Sequence, residues 1–285
     1  MRNSRTLLGL AICLTLPTIG LAQDTGVTFR DIPWIEGPVA ADIGQEARIA
    51  VPDGCLFTGM DGVRQFMELT ENPVDGSERA VVFCEDEWLD ETNVWFVVFS
   101  FSRSGYVRDD DRDRLDADAL LASIREGTAE SNKERVKRGW DTLAIGGWVT
   151  PPFYDPKTNN LTWALFTLNA DGSTGLNHSV RLLGRNGVMH VDLVAEPSQL
   201  ERLLPTFTSL VSSFEYLPGQ RYSEWRSGDK VATYGLTALV AGGAGAVAAQ
   251  TGLLAKLWKL VVGAIVALFA GLKSFWARIT GRREE

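Results

Sequence analysis

The order of apolar and polar residues divides the chain into strand-like and helix-like segments. Short runs rich in Val, Ile, Leu and Phe predict strands, and apolar residues that recur every three or four positions predict helices. Residues 93–102 are apolar on both faces, which is typical of a central, covered strand. The predicted strands cover residues 27–30, 46–51, 79–84, 93–102, 143–150, 161–169, 177–184, 188–195 and 214–217, and the predicted helices cover residues 60–70, 116–137 and 197–211.

Turn-forming residues separate these segments. Asn186-Gly187 stands between two apolar runs, which is a strong hairpin signal. The Gly and Pro residues of 34–44 predict a loop. Successive hairpins with separate helices predict an α+β fold, with a mainly antiparallel sheet and packed helices.

The longest uncharged run, residues 231–255, lies near the C-terminus between two lysines. A bilayer core needs about 20 mostly apolar residues in a helix, so this run predicts a C-terminal transmembrane helix. Small residues in a span let a second helix approach closely. A helix partner is therefore predicted here, the alternative being a span that is merely rich in small residues. The small residues of the predicted contact are Gly242, Gly243 and Gly245.

Residues 1–22 predict a signal peptide. Arg2 and Arg5 precede an apolar core at residues 7–16, and small residues lead to a cleavage site after Ala22. The alternative is an uncleaved N-terminal anchor. Cleavage is favoured because the apolar core is short and a proline interrupts it.

Export and a C-terminal span together predict the organisation of the chain. Residues 23–220 form the exported α+β domain, and residues 221–230 form a polar connector into the membrane. The basic, apolar tail at residues 256–285 belongs on the cytoplasmic side, either as an interfacial helix or as a second span. The predicted location is the inner membrane, with the lipid bilayer as a partner, the main domain periplasmic and the C-terminus cytoplasmic.

Charge is divided unevenly along the chain. The whole chain carries −8, the tail carries six basic and two acidic residues (+4), and the signal region carries +2, which leaves −14 for residues 23–230. An acidic domain repels nucleic acid and anionic surfaces. No nucleic-acid partner is therefore predicted.

Two cysteines remain after signal cleavage, because Cys13 lies in the signal region. Disulfides persist in an oxidising compartment, so Cys55 and Cys84 form either one bridge or two buried free thiols. Neither residue lies in a CxxC motif, which argues against metal or redox chemistry.

No motif fixes a reaction, so no catalytic residue, metal ligand or cofactor is predicted. The acidic run at residues 109–118 resembles the start of a calcium loop, but Arg114 and Leu120 occupy positions that require Gly and Glu. Helix capping and compensation of the helix dipole explain the run better. The two histidines, His178 and His190, lie outside any metalloprotease motif.

Two groups of residues are candidates for a site. His190 and Asp192 alternate with apolar residues on one predicted strand, so their face is expected to be wetter. Trp148, Tyr154 and Trp163 gather around Pro151-Pro152 and are candidates for a platform that binds a glycan or peptide. The alternative for these aromatic residues is that they fill the core of the sheet, which is the commoner role of such residues.

Five segments of the mature chain resemble the DUF2167 family of uncharacterised membrane-anchored proteins of Gram-negative bacteria. They read YVRDDDRDRLDADALLASIREGTAESNKERVKRGW, GWVTPPFYDPKTNNLTWAL, VRLLGRNGV, LPGQRYSEW and GDKVATYGLTALVAGGAGA. The resemblance covers nearly the whole mature chain and implies an exported domain with a C-terminal anchor. It brings no established activity, so no catalytic residue is carried over.

Topology and the missing catalytic motifs together favour a non-enzymatic domain that binds or scaffolds an envelope protein or glycan. The alternative is an envelope hydrolase with either a carboxylate site or a site based on His190 and Asp192, because such sites are recognised by geometry rather than by sequence position.

Overall fold

The computed structural model describes residues 28–70, 72, 74–84 and 95–241. Within these residues the chain forms strands and α-helices in an α+β arrangement, as predicted. The strands are β1 (Ile35–Glu36), β2 (Val39–Ile43), β3 (Ala47–Val51), β4 (Cys55–Thr58), β5 (Glu78–Cys84), β6 (Phe96–Ser102), β7 (Leu143–Asp155), β8 (Asn160–Asn169), β9 (Thr174–Leu183), β10 (Val188–Ala195) and β11 (Glu215–Tyr216). The helices are α1 (Met60–Leu69), α2 (Ala117–Lys137), α3 (Leu200–Ser212) and α4 (Leu236–Val240).

Eight strands form one antiparallel sheet in the order β1-β4-β5-β6-β10-β9-β8-β7. The predicted hairpin at Asn186-Gly187 joins β9 to β10 and sets Val188 opposite Leu183. Strand β6 lies between β5 and β10. The prediction of a central strand within residues 93–102 is therefore confirmed.

A second sheet contains three strands in the order β11-β3-β2. The return predicted for residues 214–217 is confirmed as β11, but it pairs with β3 of this second sheet. The loop predicted for residues 34–44 is wrong, since they form β1 and β2. Ala41 and Ile43 point into the core from β2, whereas the Gly and Pro residues that suggested a loop flank the two strands.

The strand predicted for residues 27–30 is also wrong for the part that the structure describes. A 3-10 turn occupies Phe29–Asp31. The carboxylate of Asp31 accepts hydrogen bonds from the backbone N–H and the hydroxyl of Thr28, at 2.7 and 2.8 Å. These local bonds compete with a strand ladder.

Apolar clusters pack on both faces of the main sheet. One face packs against the three-stranded sheet and α3, through a cluster that includes Phe99 and Phe207. On the opposite face, α1 buries Phe66 against β5 and β6, while α2 and α4 bury Leu120 and Leu161 at the β7–β8 end. Each large apolar side chain buried in this way contributes about 1.5–3 kcal/mol, so packing holds the helices on the sheet.

Strand β7 continues through Pro151-Pro152 and so extends beyond the predicted residues 143–150. Its pairing with β8 runs from Leu143 opposite Asn169 to Asp155 opposite Asn160, with register shifts in the middle. Because β7 is an edge strand, its prolines remove no hydrogen bond on the open side of the sheet.

The segment predicted as a connector, residues 221–230, is folded against the domain. It contains a 3-10 turn at Tyr222–Glu224, and Asp229 forms an ion pair with Arg185 at 2.7 Å. Val231, the first residue after this segment, makes a parallel bridge to Tyr106.

Helix α4 begins at Leu236, five residues after the predicted start of the span at Val231. In the part of the chain that the structure describes, no helix is long and apolar enough to cross a membrane. Residues 242–255 of the predicted span and the tail at residues 256–285 lie outside the described residues, as do residues 1–22 of the predicted signal peptide.

Candidate functional site

The three aromatic residues predicted as a ligand platform share one face of β7 and β8, and that face is covered. Trp163 is 4% exposed and stacks on the guanidinium of Arg181 at 4.6 Å. Trp148 is half-buried and donates its indole N–H to a carbonyl of α2 at 3.0 Å. Tyr154 is half-buried and bonds to Asn159 at 3.3 Å. All three belong to or pack on the cluster beneath α2 and α4, so packing brings them together.

His190 and Asp192 lie in a buried polar cluster. The carboxylate of Asp192 accepts hydrogen bonds from the Ser179 hydroxyl at 2.5 Å and from Arg181 at 2.8 Å. In a serine–histidine–acid triad the histidine stands between the serine and the carboxylate. Here Ser179 bonds directly to Asp192, and His190 lies opposite Arg181. This arrangement does not favour the hydrolase interpretation.

The face of β10 that carries His190 and Asp192 is the wetter one, as predicted, but only slightly: His190 is half-buried, whereas Met189 and Leu193 on the other face are fully buried. Asp192 is 8% exposed and Arg181 is 7% exposed. Of their neighbours on the same face of β10, Val188 belongs to the apolar cluster under α2 and Val194 to the one under α1. The polar residues thus fill the space between two apolar clusters, and the ion pair compensates the buried charges.

Both histidines are held neutral. Burial, reinforced by the positive charge of Arg181, lowers the pKa of His190 well below its ordinary value. Burial also lowers the pKa of His178, although Asp192 opposes that shift. Nε2 of His190 is buried without a hydrogen-bond partner, and His178 packs against Phe207 on the opposite face of the sheet. Neither ring bonds to a serine within the described residues.

The acidic run at residues 109–118 caps two helices. Asp116 accepts two backbone N–H groups from the first turn of α2, at 3.1 and 3.0 Å, which confirms the predicted capping. Asp111 accepts the backbone N–H groups of Leu236 and Thr237 at the start of α4, at 2.9 and 3.1 Å. Burial alone would raise the pKa of Asp111, but these donors outweigh it and lower the pKa.

A disulfide joins Cys55 and Cys84. The two residues lie directly opposite each other on β4 and β5, and both are buried. Of the two alternatives that the sequence leaves open, the structure contains the bridge.

Three aromatic side chains meet beside the C-terminal segment, and we call Tyr106, Tyr222 and Trp225 the junction cluster. Tyr106 stacks on Tyr222 with ring centroids 4.4 Å apart and lies 5.4 Å from Trp225. The hydroxyl of Tyr222 donates to the carbonyl of Val107 at 3.0 Å. Trp225 is 37% exposed, so the cluster reaches the surface.

A pocket of about 400 Å³ lies where the β2–β3 turn, the end of β6 and the C-terminal segment meet. We call it the Glu46 pocket. Glu46 is 3% exposed and pairs with Arg79 at 3.5 Å and Arg103 at 3.0 Å. The lining residues are Gln45, Glu46, Phe101, Arg103, Gly105, Asn186, Gln220 and Lys230. Sequence reasoning missed this pocket because its walls come from separate segments and carry no motif.

The small residues predicted to contact a partner helix lie outside the described residues. These are Gly242, Gly243 and Gly245.

Comparison with known proteins gives a family but no activity. No curated protein matches the chain. A solution structure of PsbP (CyanoP) from the cyanobacterium Synechocystis sp. PCC 6803 is similar at 11% identity and a TM-score of 0.37, over 69% of this chain and 99% of that chain. The crystal structure of PA94, a protein of unknown function from Pseudomonas aeruginosa, is similar at 11% identity and a TM-score of 0.26, over 63% of this chain and 97% of that chain.

The family comparison covers far more of the sequence than any single motif. A family model described as "Protein of unknown function (DUF2167)" matches residues 35–273. That match covers most of the chain, and the protein therefore belongs to the DUF2167 family.

Proposed function

We propose that the protein is an exported, non-enzymatic binding domain that its C-terminal segment holds at a membrane. The observation that carries the proposal is the start of α4, where Asp111 fixes Leu236 and Thr237 to the domain. The sequence then stays uncharged as far as Ala255. About 20 such residues extend about 30 Å as a helix, which matches a bilayer core.

The attachment before α4 supports a rigid anchor rather than a flexible linker. Arg185 binds Asp229 through two parallel hydrogen bonds of 2.7 and 2.8 Å, a geometry that fixes orientation as well as distance. The backbone of Tyr106 bonds to Lys230 and Ala232, each at 2.8 Å. A helix that continues from this point would orient the domain relative to the membrane.

The junction cluster supports a position at a membrane surface. Trp and Tyr are enriched where a protein crosses the membrane–water interface, because their rings combine an apolar body with a polar end. Tyr222 and Trp225 lie a few residues before the uncharged run, and Trp225 is partly exposed.

The disulfide supports export. Bridges such as Cys55–Cys84 persist in oxidising compartments and are rare in the cytosol. This inference is independent of the signal-peptide pattern, and both lead to the same side of the membrane.

A binding role is supported by the arrangement of the polar residues. The candidate residues His190 and Asp192 are not ordered as a triad with Ser179, because Ser179 bonds directly to Asp192 and Nε2 of His190 is buried without a partner. The Glu46 pocket, in contrast, is open to solvent and presents charged and amide groups from several segments. This combination suits recognition better than proton transfer.

Fractionation of cells that express the full chain with a C-terminal tag tests the anchor and the topology. We expect the protein in the membrane fraction after alkaline carbonate extraction. In spheroplasts, added protease should digest the domain, while a reporter at Glu285 stays protected. A chain that lacks residues 1–22 is the matched control and should leave the domain inaccessible.

Release of the full chain by carbonate, or a domain that protease reaches only after cell lysis, would overturn the proposal. Exposure of the Glu285 reporter alongside the domain would replace the single anchor with a two-helix hairpin.

A further inference from the structure

The Glu46 pocket contains more positive than negative charge, although the exported part of the chain is strongly acidic. Among the lining residues, Glu46 contributes one negative charge and Arg103 and Lys230 contribute two positive charges, which leaves a net of one. Arg79 is buried beneath Glu46, so Arg103 and Lys230 carry the positive charge that faces the opening. The pocket therefore suits an anion.

We propose that the Glu46 pocket binds a phosphate group, carried either by a small soluble ester or by a lipid head group. A phosphate group carries about −1 charge as a diester and about −1.5 to −2 as a monoester at pH 7, and the two cations of the lining attract either form. The pocket volume of about 400 Å³ lies in the usual range for small ligands.

Arg103 is positioned to bind an anion. One of its terminal nitrogens bonds to Glu46 at 3.0 Å, which orients the guanidinium. The side chain is 71% exposed, so its other N–H groups point to solvent or to a ligand. A guanidinium whose orientation is already fixed loses less entropy when it forms paired hydrogen bonds with phosphate.

Lys230 and the amide side chains complete the donor set. The ammonium of Lys230 gives one hydrogen bond to the carbonyl of Arg103 at 3.2 Å, which leaves two of its three donors. Asn186 donates to the side-chain oxygen of Gln220 at 2.9 Å. That bond uses the side-chain oxygen of Gln220. The amide nitrogen of Gln220, which can only donate, stays available to a ligand. Residues that carry hydrogen-bond donors thus line the pocket from several segments of the chain.

The position of the pocket leaves both sources of phosphate open. Lys230 directly precedes the uncharged run, so a domain anchored as proposed would hold the pocket near lipid head groups and also in reach of soluble esters. The inference rests on the proposed role as a binding domain, but not on the anchor. Binding of soluble phosphate esters can be measured whatever the membrane topology of the chain.

Titration of the full-length protein in neutral detergent tests the proposal. Inorganic phosphate, glycerol 3-phosphate and short-chain phosphatidylglycerol are added separately, and binding is followed by calorimetry. We expect saturable binding of at least one probe, and Arg103→Gln should weaken it at least about tenfold, because a hydrogen bond to a charged group contributes about 1.5–3 kcal/mol. Arg48→Gln is the matched control, since Arg48 lies on β3 away from the pocket and pairs with Asp42.

The probes distinguish the two sources. Binding of phosphate or glycerol 3-phosphate supports a soluble ester, and binding of phosphatidylglycerol alone supports a head group. Lys230→Gln, compared with Lys157→Gln, repeats the test if loss of the Arg103 contact unfolds the protein. Absence of saturable binding by all three probes, or equal weakening by the pocket and control variants, would overturn the proposal. A failure of the carbonate and protease experiments would leave this result intact.

Discussion

Asp111 binds Thr237 twice, across 126 positions of sequence: its Oδ2 accepts the backbone N–H at 3.1 Å and the hydroxyl at 2.8 Å. The approach is close because Gly235 precedes the helix. A Cβ on Gly235 would lie 2.6 Å from Asp111 Oδ1, which is too short for a contact. The acidic loop and the start of the predicted anchor therefore form one structural unit.

Replacing Asp111 by Ala should release the start of α4. Loss of a capping side chain costs about 1 kcal/mol, and we expect that loss in the free energy of unfolding, together with faster hydrogen exchange at residues 236–241. Asp110→Ala is the control, because Asp110 is exposed and precedes the cap. Equal exchange in the two variants would contradict the role of Asp111.

Gly235→Ala tests the same contact from the other side. The added methyl group should destabilise the protein, because it forces the Asp111 carboxylate away from the helix. In a chain that already carries Asp111→Ala, the same substitution should cost less, since no carboxylate remains to be displaced. A double-mutant cycle of unfolding free energies measures this difference, and strict additivity would argue against a direct contact.

The ion pair between Arg185 and Asp229 should make the C-terminal segment sensitive to acid. The hydrogen bonds from Arg185 hold the pKa of Asp229 at about 2, below its ordinary 3.8. A carboxylate with a depressed pKa stabilises the fold above its ordinary pKa, and this stabilisation is lost as the pH falls from about 4 to about 2. Asp229→Asn should therefore lower the thermal midpoint at neutral pH and flatten its change across that window.

Asp42→Asn is the matched control for Asp229→Asn. Asp42 also pairs with an arginine at 2.7 Å, but that pair is more than half exposed, and exposed pairs contribute little. If both substitutions change the thermal midpoint equally, the Arg185 pair has no special role in holding the segment.

Local signals in the sequence predict most of the main sheet. The run at residues 93–102 is apolar on both faces and contains the central strand β6 (Phe96–Ser102), and Asn186-Gly187 specifies the β9–β10 hairpin through turn chemistry alone. Strands β1 and β2 are missed because they are short and glycines and prolines flank them. What stabilises β2 is pairing with β3 and burial of Ile43, and neither is a property of nearby sequence.

The candidate site depends even more on distant contacts. Glu46 meets Arg103 across 57 positions, and Asp111 meets Leu236 across 125. The acidic run itself indicates capping, but the sequence near Asp111 does not show which helix this residue caps. The aromatic residues around Pro151-Pro152 are found from sequence, yet only the fold shows that α2 and α4 cover them.

His190 should make the fold less stable in mild acid. Its pKa is lowered well below the ordinary 6.5 by burial and by Arg181, so the unfolded chain binds a proton that the folded chain resists. Stability is then fully present above about pH 6.5 and declines as the pH falls below it. His190→Gln should reduce the drop in the urea midpoint between about pH 7.5 and pH 5.5. His178→Gln should reduce it less, and identical drops in all three proteins would contradict this origin.

The disulfide predicts two separate effects, one on the stability of the fold and one that depends on the cellular compartment. Cys55 and Cys84 are 29 positions apart, and closing a loop of that size stabilises a protein by about 3.6 kcal/mol through the entropy of the unfolded chain. Reduction of the wild-type protein, or the double substitution Cys55→Ala with Cys84→Ala, should lower the free energy of unfolding by a comparable amount.

A reducing agent should have no further effect on the double variant, which serves as the internal control. The exported chain should resist thiol alkylation, whereas a chain without residues 1–22 should be alkylated in the cytosol and unfold at lower urea. Because Cys55 and Cys84 already face each other across β4 and β5, the reduced protein should keep the same sheet. Free thiols in the exported protein would show that strand pairing alone brings the two residues together, and would remove the support that the bridge gives to export.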